Sequence, residues 1–141
     1  MSRLNLYIHI VWVTQQRRPL LTPPIEEAVY KLILTEVQSA GYETLALNGM
    51  PDHVHLLLRC GPQIDLSLLM KKVKGLSAAM VNEMQGARYA FRWQEGYFAA
   101  TVTPSHLPKI RAYVENQKTH HRENTTSTAW ENDAIDPNEA S

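Results

Sequence analysis

The chain has 141 residues, with 14 Lys or Arg and 14 Asp or Glu, so its formal net charge is zero. This length fits one domain with a sizeable core, and we expect no membrane partner because no apolar run has the length of a membrane span or the layout of a secretion signal. The single cysteine, Cys60, excludes an internal disulfide and predicts a cytoplasmic protein in which this thiol is a small core residue.

Acidic residues are concentrated at the end of the chain. Residues 122–141 contain five acidic residues and one arginine, which leaves a net charge of +4 for residues 1–121. We therefore predict one domain over residues 1–121 and a flexible, polar and acidic tail over residues 122–141. Because the charge of the domain is modest, contacts with nucleic-acid phosphates would have to come from local clusters of basic residues.

The first half of the chain predicts two strands around a helix. Apolar side chains alternate over residues 4–13, which predicts a strand with both faces covered at least in part. A helix over about residues 23–40 follows, since two prolines suit its first turn and Gly41 suits its end. Residues 42–47 then predict a second strand.

A hairpin is predicted next. Asn48-Gly49 is a dipeptide typical of a two-residue hairpin turn. It would join the second strand antiparallel to a third strand over residues 53–60.

The remaining elements are a helix, a strand and a helix. Asp65 can cap a long helix that reaches about Met84. Residues 97–102 predict a fourth strand, and a final helix is predicted over about residues 106–121.

This order of elements predicts an α+β fold of the ferredoxin-like kind, a split β-α-β arrangement with an antiparallel sheet and an additional C-terminal helix. In such a fold the first and third strands are central neighbours, and the two crossing helices cover one face of the sheet. On the third strand His53 and His55 would point to the open face. We expect a site there to be accessible to a large substrate.

Two short segments, His53-Val54-His55 and Tyr113–Gln117, favour metal-assisted chemistry. Side chains two apart on a strand share a face, so the two histidines can hold one ion, and Tyr113 and Gln117 share a helix face. Imidazole and amide ligands leave a divalent ion most of its positive charge, so it could activate a phosphodiester for attack by a phenol. Either segment alone is more typical of ordinary surface or packing residues, and only the combination favours a site.

Several basic residues are candidates for contacts with phosphate. They are Arg17 and Arg18 in the loop after the first strand, and Lys71 and Lys74 on one face of the second long helix. For the lysines, a solvated helix face is the alternative. We expect His9, on the second face of the first strand, to be a hydrogen-bonded structural residue rather than a ligand.

Five blocks of sequence resemble, in the right order, the single-tyrosine transposases of the IS200-like insertion-sequence group, a branch of the His-hydrophobic-His nucleases. The blocks lie at residues 9–19, 50–58, 69–77, 93–98 and 113–121. The resemblance implies an enzyme that cuts and rejoins single-stranded DNA with hairpin ends. It also implies that the tail after His121 has no counterpart in the family pattern.

By this resemblance, His53, His55 and Gln117 would be the ligands of a divalent metal ion, Mg²⁺ or Mn²⁺, and Tyr113 would be the nucleophile. The intermediate would be a 5′-phosphotyrosine with release of a 3′-hydroxyl, and no ATP would be needed. One nucleophilic tyrosine per chain is awkward for cutting two DNA ends, so we expect a homodimer. The resemblance implies that each of its sites takes histidines from one chain and tyrosine from the other, in trans.

Other functions stay open at this point. A replication or mobilisation nickase of the same superfamily would usually have a longer chain, and genomic context would identify a domesticated, repeat-associated relative. A non-catalytic nucleic-acid-binding module of the same fold would carry aromatic residues on the open sheet face and would need no ion. A two-histidine phosphoesterase needs two His-x-Ser/Thr motifs, which this chain lacks.

Overall fold

The structure is a computed structural model that describes residues 4–86 and 90–119. Its elements are β1 (Leu6–Val13), α1 (Pro23–Ser39), β2 (Glu43–Met50), β3 (His53–Cys60), α2 (Leu66–Met84), β4 (Phe98–Val102) and α3 (Leu107–Glu115). The predicted elements agree with these bounds to within a few residues, except that α3 ends at Glu115 and a separate helical turn covers residues 117–119. The predicted tail lies outside the described residues. Within them, no helix is long and apolar enough to cross a membrane.

The four strands form one antiparallel sheet in the order β2-β3-β1-β4. β1 and β3 are the central neighbours, paired from Leu6 opposite Cys60 to Val13 opposite His53. This is the predicted α+β, ferredoxin-like arrangement with an additional C-terminal helix, and the prediction is confirmed.

The main core lies between one face of this sheet and the helices α1 and α2. Alternate residues of β1 and β3 supply its sheet side, and apolar stripes of the helices supply the other side. Its buried members include Ile10, Trp12, Val54, Leu56, Leu58, Cys60, Val29, Ile33, Leu69 and Val73. Asp65 caps α2 as predicted, since its side chain accepts a hydrogen bond from the backbone N–H of Leu68 at 3.0 Å. The core therefore fixes which face of β3 carries His53 and His55.

The predicted hairpin turn at Asn48-Gly49 is wrong. Both residues lie inside β2, and the chain turns at Pro51 and Asp52, which separate the paired residues Met50 and His53. The reason is close packing between the strands, because a Cβ atom on Gly49 would lie 2.2 Å from the carbonyl oxygen of His53. Gly49 therefore allows the backbones of β2 and β3 to approach closely. The sequence Asn-Gly alone does not show whether its glycine has this role or forms a turn.

The expectation of an open, accessible sheet face is also wrong, because α3 packs on that face. Ile110 and Val114 of α3 form a second apolar cluster with Leu57 of β3, Ala46 of β2 and Val102 of β4. Covering these apolar groups removes them from water. As a result His53 and His55 are fully buried between the sheet and α3.

Candidate active site

Four side chains meet between β3 and the C-terminal part of the chain. The rings of His53 and His55 lie 5.2 Å apart, and the ring of Tyr113 lies 6.0 Å from that of His55. Nε2 of His53 is 3.3 Å from Oε1 of Gln117. The structure therefore brings together all four residues that the sequence predicted as ligands and nucleophile, and it does so within one chain.

The position of α3 follows from its amphipathic sequence. Ile110, Tyr113 and Val114 are its buried residues, spaced three and four apart, and they face the sheet. The helix ends at Glu115 with Asn116 as its C-cap, and the following helical turn places Gln117 beside His53. Packing of one apolar stripe of α3 on the sheet thus places Tyr113 beside the histidines, and Gln117 reaches them from the next turn.

Polar contacts hold the end of α3 against β2. The side-chain amide of Asn48 donates to the carbonyl of Glu115 at 3.0 Å. Nζ of Lys118 donates to Oδ1 of Asn48 at 2.7 Å and to the carbonyl of Gly49 at 3.1 Å, and it lies 3.1 Å from Oε1 of Glu26 in α1. These contacts fix the residue next to Gln117. Sequence reasoning missed them, since Asn48 reads as a turn residue, Glu26 belongs to no motif, and the block at residues 113–121 assigns no role to Lys118.

Each histidine is oriented through its Nδ1 atom. Nδ1 of His53 lies 2.6 Å from Oδ1 of Asp52, and Nδ1 of His55 lies 2.8 Å from Nε2 of His9. An ionised carboxylate only accepts hydrogen bonds, so His53 carries a hydrogen on Nδ1. A neutral ring with hydrogen on Nδ1 would leave Nε2 as the atom that could hold a metal ion, and a His55 that donates from Nδ1 to His9 would present its Nε2 in the same way. The predicted hydrogen-bonded role of His9 is confirmed.

Asp52 joins this group from the turn between β2 and β3. Its Oδ2 accepts a hydrogen bond from Nε of Arg17 at 3.2 Å, while Oδ1 contacts His53. Burial raises the pKa of Asp52, but the hydrogen bonds and electrostatic attraction of His53 and Arg17 outweigh this, so the pKa lies below its usual value. Asp52 is therefore the ionised acceptor that the orientation of His53 requires.

The arrangement fits a divalent metal ion. Among the described residues, no group of three or more His, Cys, Asp or Glu side chains is placed to hold an ion, so such a site depends on Gln117 as well as the two histidines. Nε2 of His53 and Oε1 of Gln117 face each other at 3.3 Å, and a neutral His53 ring with its hydrogen on Nδ1 would make both atoms acceptors. Two ligands of one ion at about 2.1 Å lie roughly 3.0–3.4 Å apart. Two acceptors at this spacing are what a shared cation would stabilise.

The predicted phosphate-binding residues have different surroundings. Arg18 and Lys71 are exposed, whereas Arg17 contacts Asp52. Nζ of Lys74 donates to the carbonyls of Gln94 and Gly96 at 2.7 and 2.8 Å, and burial lowers the pKa of this amine. The two lysines lie on α2, which packs on the sheet face opposite the four-residue site. The structure does not bring them to the histidines.

A pocket of about 200 Å³ lies beside the site, between β4 and the start of α3. Its lining includes His9, Phe98, Ala100, His106 and Ile110. Because His9 also contacts His55, this pocket reaches a residue that lies directly behind one of the candidate metal ligands.

Comparison with known proteins places the chain in a family. The model of the family described as "Transposase IS200 like" matches residues 2–117. The chain is 27% identical over 121 residues to the ISDra2 transposase TnpA of Deinococcus radiodurans, covering 80% of this chain and 84% of that protein. It is 28% identical to the transposase for insertion sequence element IS200 of Salmonella typhimurium, covering 82% of this chain and 79% of that one.

Solved structures give the same result. A crystal structure of a candidate transposase from Deinococcus radiodurans matches with a TM-score of 0.65 and 29% identity, over 82% of this chain and 93% of that chain. A REP-associated tyrosine transposase bound to a REP hairpin has the same TM-score at 13% identity, over 89% of this chain and 74% of that chain, and shows the shared fold. With a family match over most of its length, this chain belongs to the IS200-like transposases, a family of DNA-processing enzymes.

Proposed function

We propose that this transposase cuts and rejoins single-stranded DNA with Tyr113 as the nucleophile and with a divalent ion, Mg²⁺ or Mn²⁺, held by His53, His55 and Gln117. The observation that carries the proposal is the convergence of these four side chains, with Tyr113 6.0 Å from His55 and Gln117 3.3 Å from His53. A phenol, two oriented imidazoles and an amide oxygen in one buried group are the parts that such a reaction needs.

In the proposed reaction, the phenol oxygen of Tyr113 attacks the phosphorus atom of a phosphodiester. The phenol gives up its proton as a bond forms between its oxygen and phosphorus. The bond from phosphorus to the 3′-oxygen breaks, and this oxygen takes up a proton, so the released strand ends in a 3′-hydroxyl and the step has no net change in protons. The bound ion would supply Lewis-acid stabilisation of the charged phosphate oxygens. Rejoining is the reverse attack by a different 3′-hydroxyl on the 5′-phosphotyrosine, so bond energy is conserved.

The site must open for DNA to enter. His53, His55 and Gln117 are fully buried and Tyr113 is 5% exposed, so a phosphodiester cannot reach them while α3 stays packed on the sheet. We propose that DNA binding moves α3 relative to β3. The polar contacts of Lys118 and Asn48 would then be the ones that release first, because they lie at the exposed end of this interface.

Hairpin-bearing single strands are the proposed substrate. A related fold has been solved with a REP hairpin bound, which makes such DNA the first substrate to test. Arg18 and Lys71 are exposed and remain our proposed phosphate contacts. A mobile element and a domesticated relative would share this chemistry, and the DNA that flanks the gene would distinguish them.

The experiment is incubation of a labelled hairpin single strand with the protein and Mn²⁺. We expect a slow-migrating covalent adduct that is absent in EDTA and absent for Tyr113→Phe. Tyr97→Phe is the matched control, because it removes the same hydroxyl from a tyrosine outside the site. Cleavage that persists fully in EDTA would contradict the metal role, and an adduct formed by Tyr113→Phe would contradict the nucleophile.

We further propose a homodimer in which α3 of each chain completes the site of its partner. Two DNA ends require two tyrosines, and a symmetric dimer supplies them. Residues 103–106 connect β4 to α3, so an α3 that leaves its own sheet could make the same contacts on the partner's sheet. This is an exchange of identical elements, as in domain swapping.

Mixing two inactive variants tests this exchange. In a heterodimer of Tyr113→Phe and His55→Ala, a trans arrangement combines the intact histidines of the first chain with the intact tyrosine of the second. One site would then be complete, and cleavage should return. If each chain uses its own α3, both sites of the heterodimer remain defective. No recovery in heterodimers verified by mass would therefore refute the trans arrangement while leaving the proposed chemistry intact.

A further inference from the structure

Arg17 contacts the candidate metal site through one intermediary. Nε of Arg17 donates to Oδ2 of Asp52 at 3.2 Å, and Oδ1 of the same carboxylate lies 2.6 Å from Nδ1 of His53. We propose that Arg17 is a positioning residue, which holds Asp52 so that Asp52 orients His53 toward the ion. This inference rests on the proposed function, and it gives Arg17 a different role from the phosphate contact that the sequence predicted.

The geometry divides the carboxylate between two partners. Oδ1 faces the imidazole and Oδ2 faces the guanidinium, so neither contact can rotate without disturbing the other. Asp52 lies in a turn and not in a strand. In a turn, fewer neighbouring side chains restrict the rotation of its carboxylate than in a sheet. Side chains of Arg17 and Asp52 are 35% and 28% exposed, so water competes for both. A second partner is what keeps such a carboxylate in one orientation.

The backbone around Arg17 is strained, and this supports a positional role. Gln16 and Arg17 have φ angles of 55° and 53°, in the left-handed region that non-glycine residues rarely occupy. Such a conformation is unfavourable for a residue with a side chain, and it persists only where the surroundings over-determine it. A loop that only offered positive charge to DNA would gain nothing from this conformation.

The surroundings do over-determine this loop. The buried Thr14 donates through Oγ1 to the carbonyl of Arg18 at 2.6 Å, and its N–H donates to the carbonyl of Asp52 at 2.9 Å. The N–H of Gln15 donates to the carbonyl of Arg92 at 2.9 Å, and the N–H of Gln16 to Oε1 of Gln94 at 3.2 Å. The loop is therefore tied both to the turn that carries Asp52 and to the segment before β4.

Electrostatics also argue against a simple phosphate contact. The charge of Arg17 is matched by that of Asp52 at 3.2 Å, so the pair offers little net attraction to DNA. Binding a phosphate would require Arg17 to leave Asp52. Arg18 is exposed on the same loop and is better placed for that purpose.

The test compares Arg17→Gln with Arg18→Gln, which removes the same charge from the adjacent position. Mn²⁺ affinity is measured without DNA by electron paramagnetic resonance, and hairpin DNA affinity is measured in EDTA. We expect Asp52→Asn to weaken Mn²⁺ binding by about 10–100-fold and Arg17→Gln by about 10-fold. Arg18→Gln should leave Mn²⁺ affinity unchanged and weaken DNA binding more than Arg17→Gln does.

Two further measurements separate positioning from a general loss of structure. The double variant Arg17→Gln/Asp52→Asn should bind Mn²⁺ no more than about 2-fold more weakly than Asp52→Asn alone, because Arg17 acts through Asp52. In the metal-free protein, nitrogen NMR of His53 should report hydrogen on Nδ1 in the wild type and a mixture of tautomers in Arg17→Gln. Arg17→Lys keeps the charge but not the planar fork, and it should restore part of the Mn²⁺ affinity.

The inference is overturned if Arg17→Gln binds Mn²⁺ as the wild type does, or if its effect adds fully to that of Asp52→Asn. Loss of DNA affinity in EDTA beyond that of Arg18→Gln, with normal Mn²⁺ binding, would establish the phosphate contact instead. A wild-type protein that fails to bind Mn²⁺ would contradict the proposed function itself. The NMR comparison would still decide whether Arg17 orients His53.

Discussion

Gly49 lies in β2 opposite Val54, at a place where a methyl group does not fit. A Cβ atom there would lie 2.2 Å from the carbonyl oxygen of His53 and 3.0 Å from Cα of Val54. Carbon and oxygen atoms approach to about 3.3 Å at the closest, so β2 would have to move by roughly 1 Å. The obstacle is backbone, which cannot rotate away, and it belongs to a residue of the candidate metal site.

We predict that Gly49→Ala lowers the free energy of unfolding by about 2–4 kcal/mol. Overpacking of this kind costs about 1–3 kcal/mol, and loss of a strand hydrogen bond adds about 1 kcal/mol. Gly49 has no left-handed φ, so the expected cost comes from lack of space and not from backbone conformation. Urea denaturation followed by circular dichroism measures the change, with an unchanged m-value as the check on two-state unfolding.

Gly75→Ala is the matched control, because the same methyl group is added where nothing lies within 4 Å of it. Gly75 is exposed in α2, and alanine there should raise the free energy of unfolding by about 0.5–1 kcal/mol. The reasoning is refuted if Gly49→Ala unfolds within about 0.5 kcal/mol of the wild type, since this is the range of a neutral surface change.

Three further predictions concern the site and its surroundings. Gln117→Ala should weaken Mn²⁺ binding less than His53→Ala, because water can replace an amide ligand; equal losses in a titration would contradict this. Lys118→Met should lower the free energy of unfolding by about 1 kcal/mol, since it removes contacts between α3 and β2. Lys109→Met, at an exposed position on α3, is the control and should change little. Lys71→Gln should reduce the salt dependence of DNA binding by about one unit of slope, and an unchanged slope would exclude a phosphate contact.

The faces of the strands were predictable from sequence because alternation has a period of two. Leu56 and Leu58 are buried by α1 and α2, and this alone sends His53 and His55 to the other face. The buried faces of the helices were equally predictable from their amphipathic stripes. These patterns are repeated along an element, so a local exception does not erase them.

The turn and the cover of the sheet were not predictable in this way. Asn48-Gly49 has the composition of a turn, but tertiary packing against His53 requires the glycine inside a strand. The stripe of Ile110 and Val114 predicts that α3 is buried somewhere, without stating where. A helix added at the end of a fold has no partner specified by strand order.

Within the site, motifs indicated the candidate ligands and the candidate nucleophile, but they did not indicate the contacts of the residues that support them. Strand alternation applied to Asp52 would place its side chain on the opposite face from His53, but Asp52 lies in the turn, where alternation does not hold. Lys118 contacts residues about 70 and 90 positions earlier, Asn48 and Glu26, which no local pattern relates to it. Long-range polar contacts of this kind are visible only in the folded chain.

The central claim is a covalent bond between Tyr113 and DNA, and mass spectrometry tests it directly. After reaction of a hairpin single strand in Mn²⁺, nuclease trimming and digestion with trypsin should yield residues 112–118 as a peptide that contains Tyr113 as its single tyrosine. We predict that this peptide carries a nucleotide linked through a 5′-phosphate, and that the modification is absent in EDTA and in His55→Ala. Cleaved DNA with this peptide unmodified, or with the nucleotide on a different tyrosine, would contradict the account.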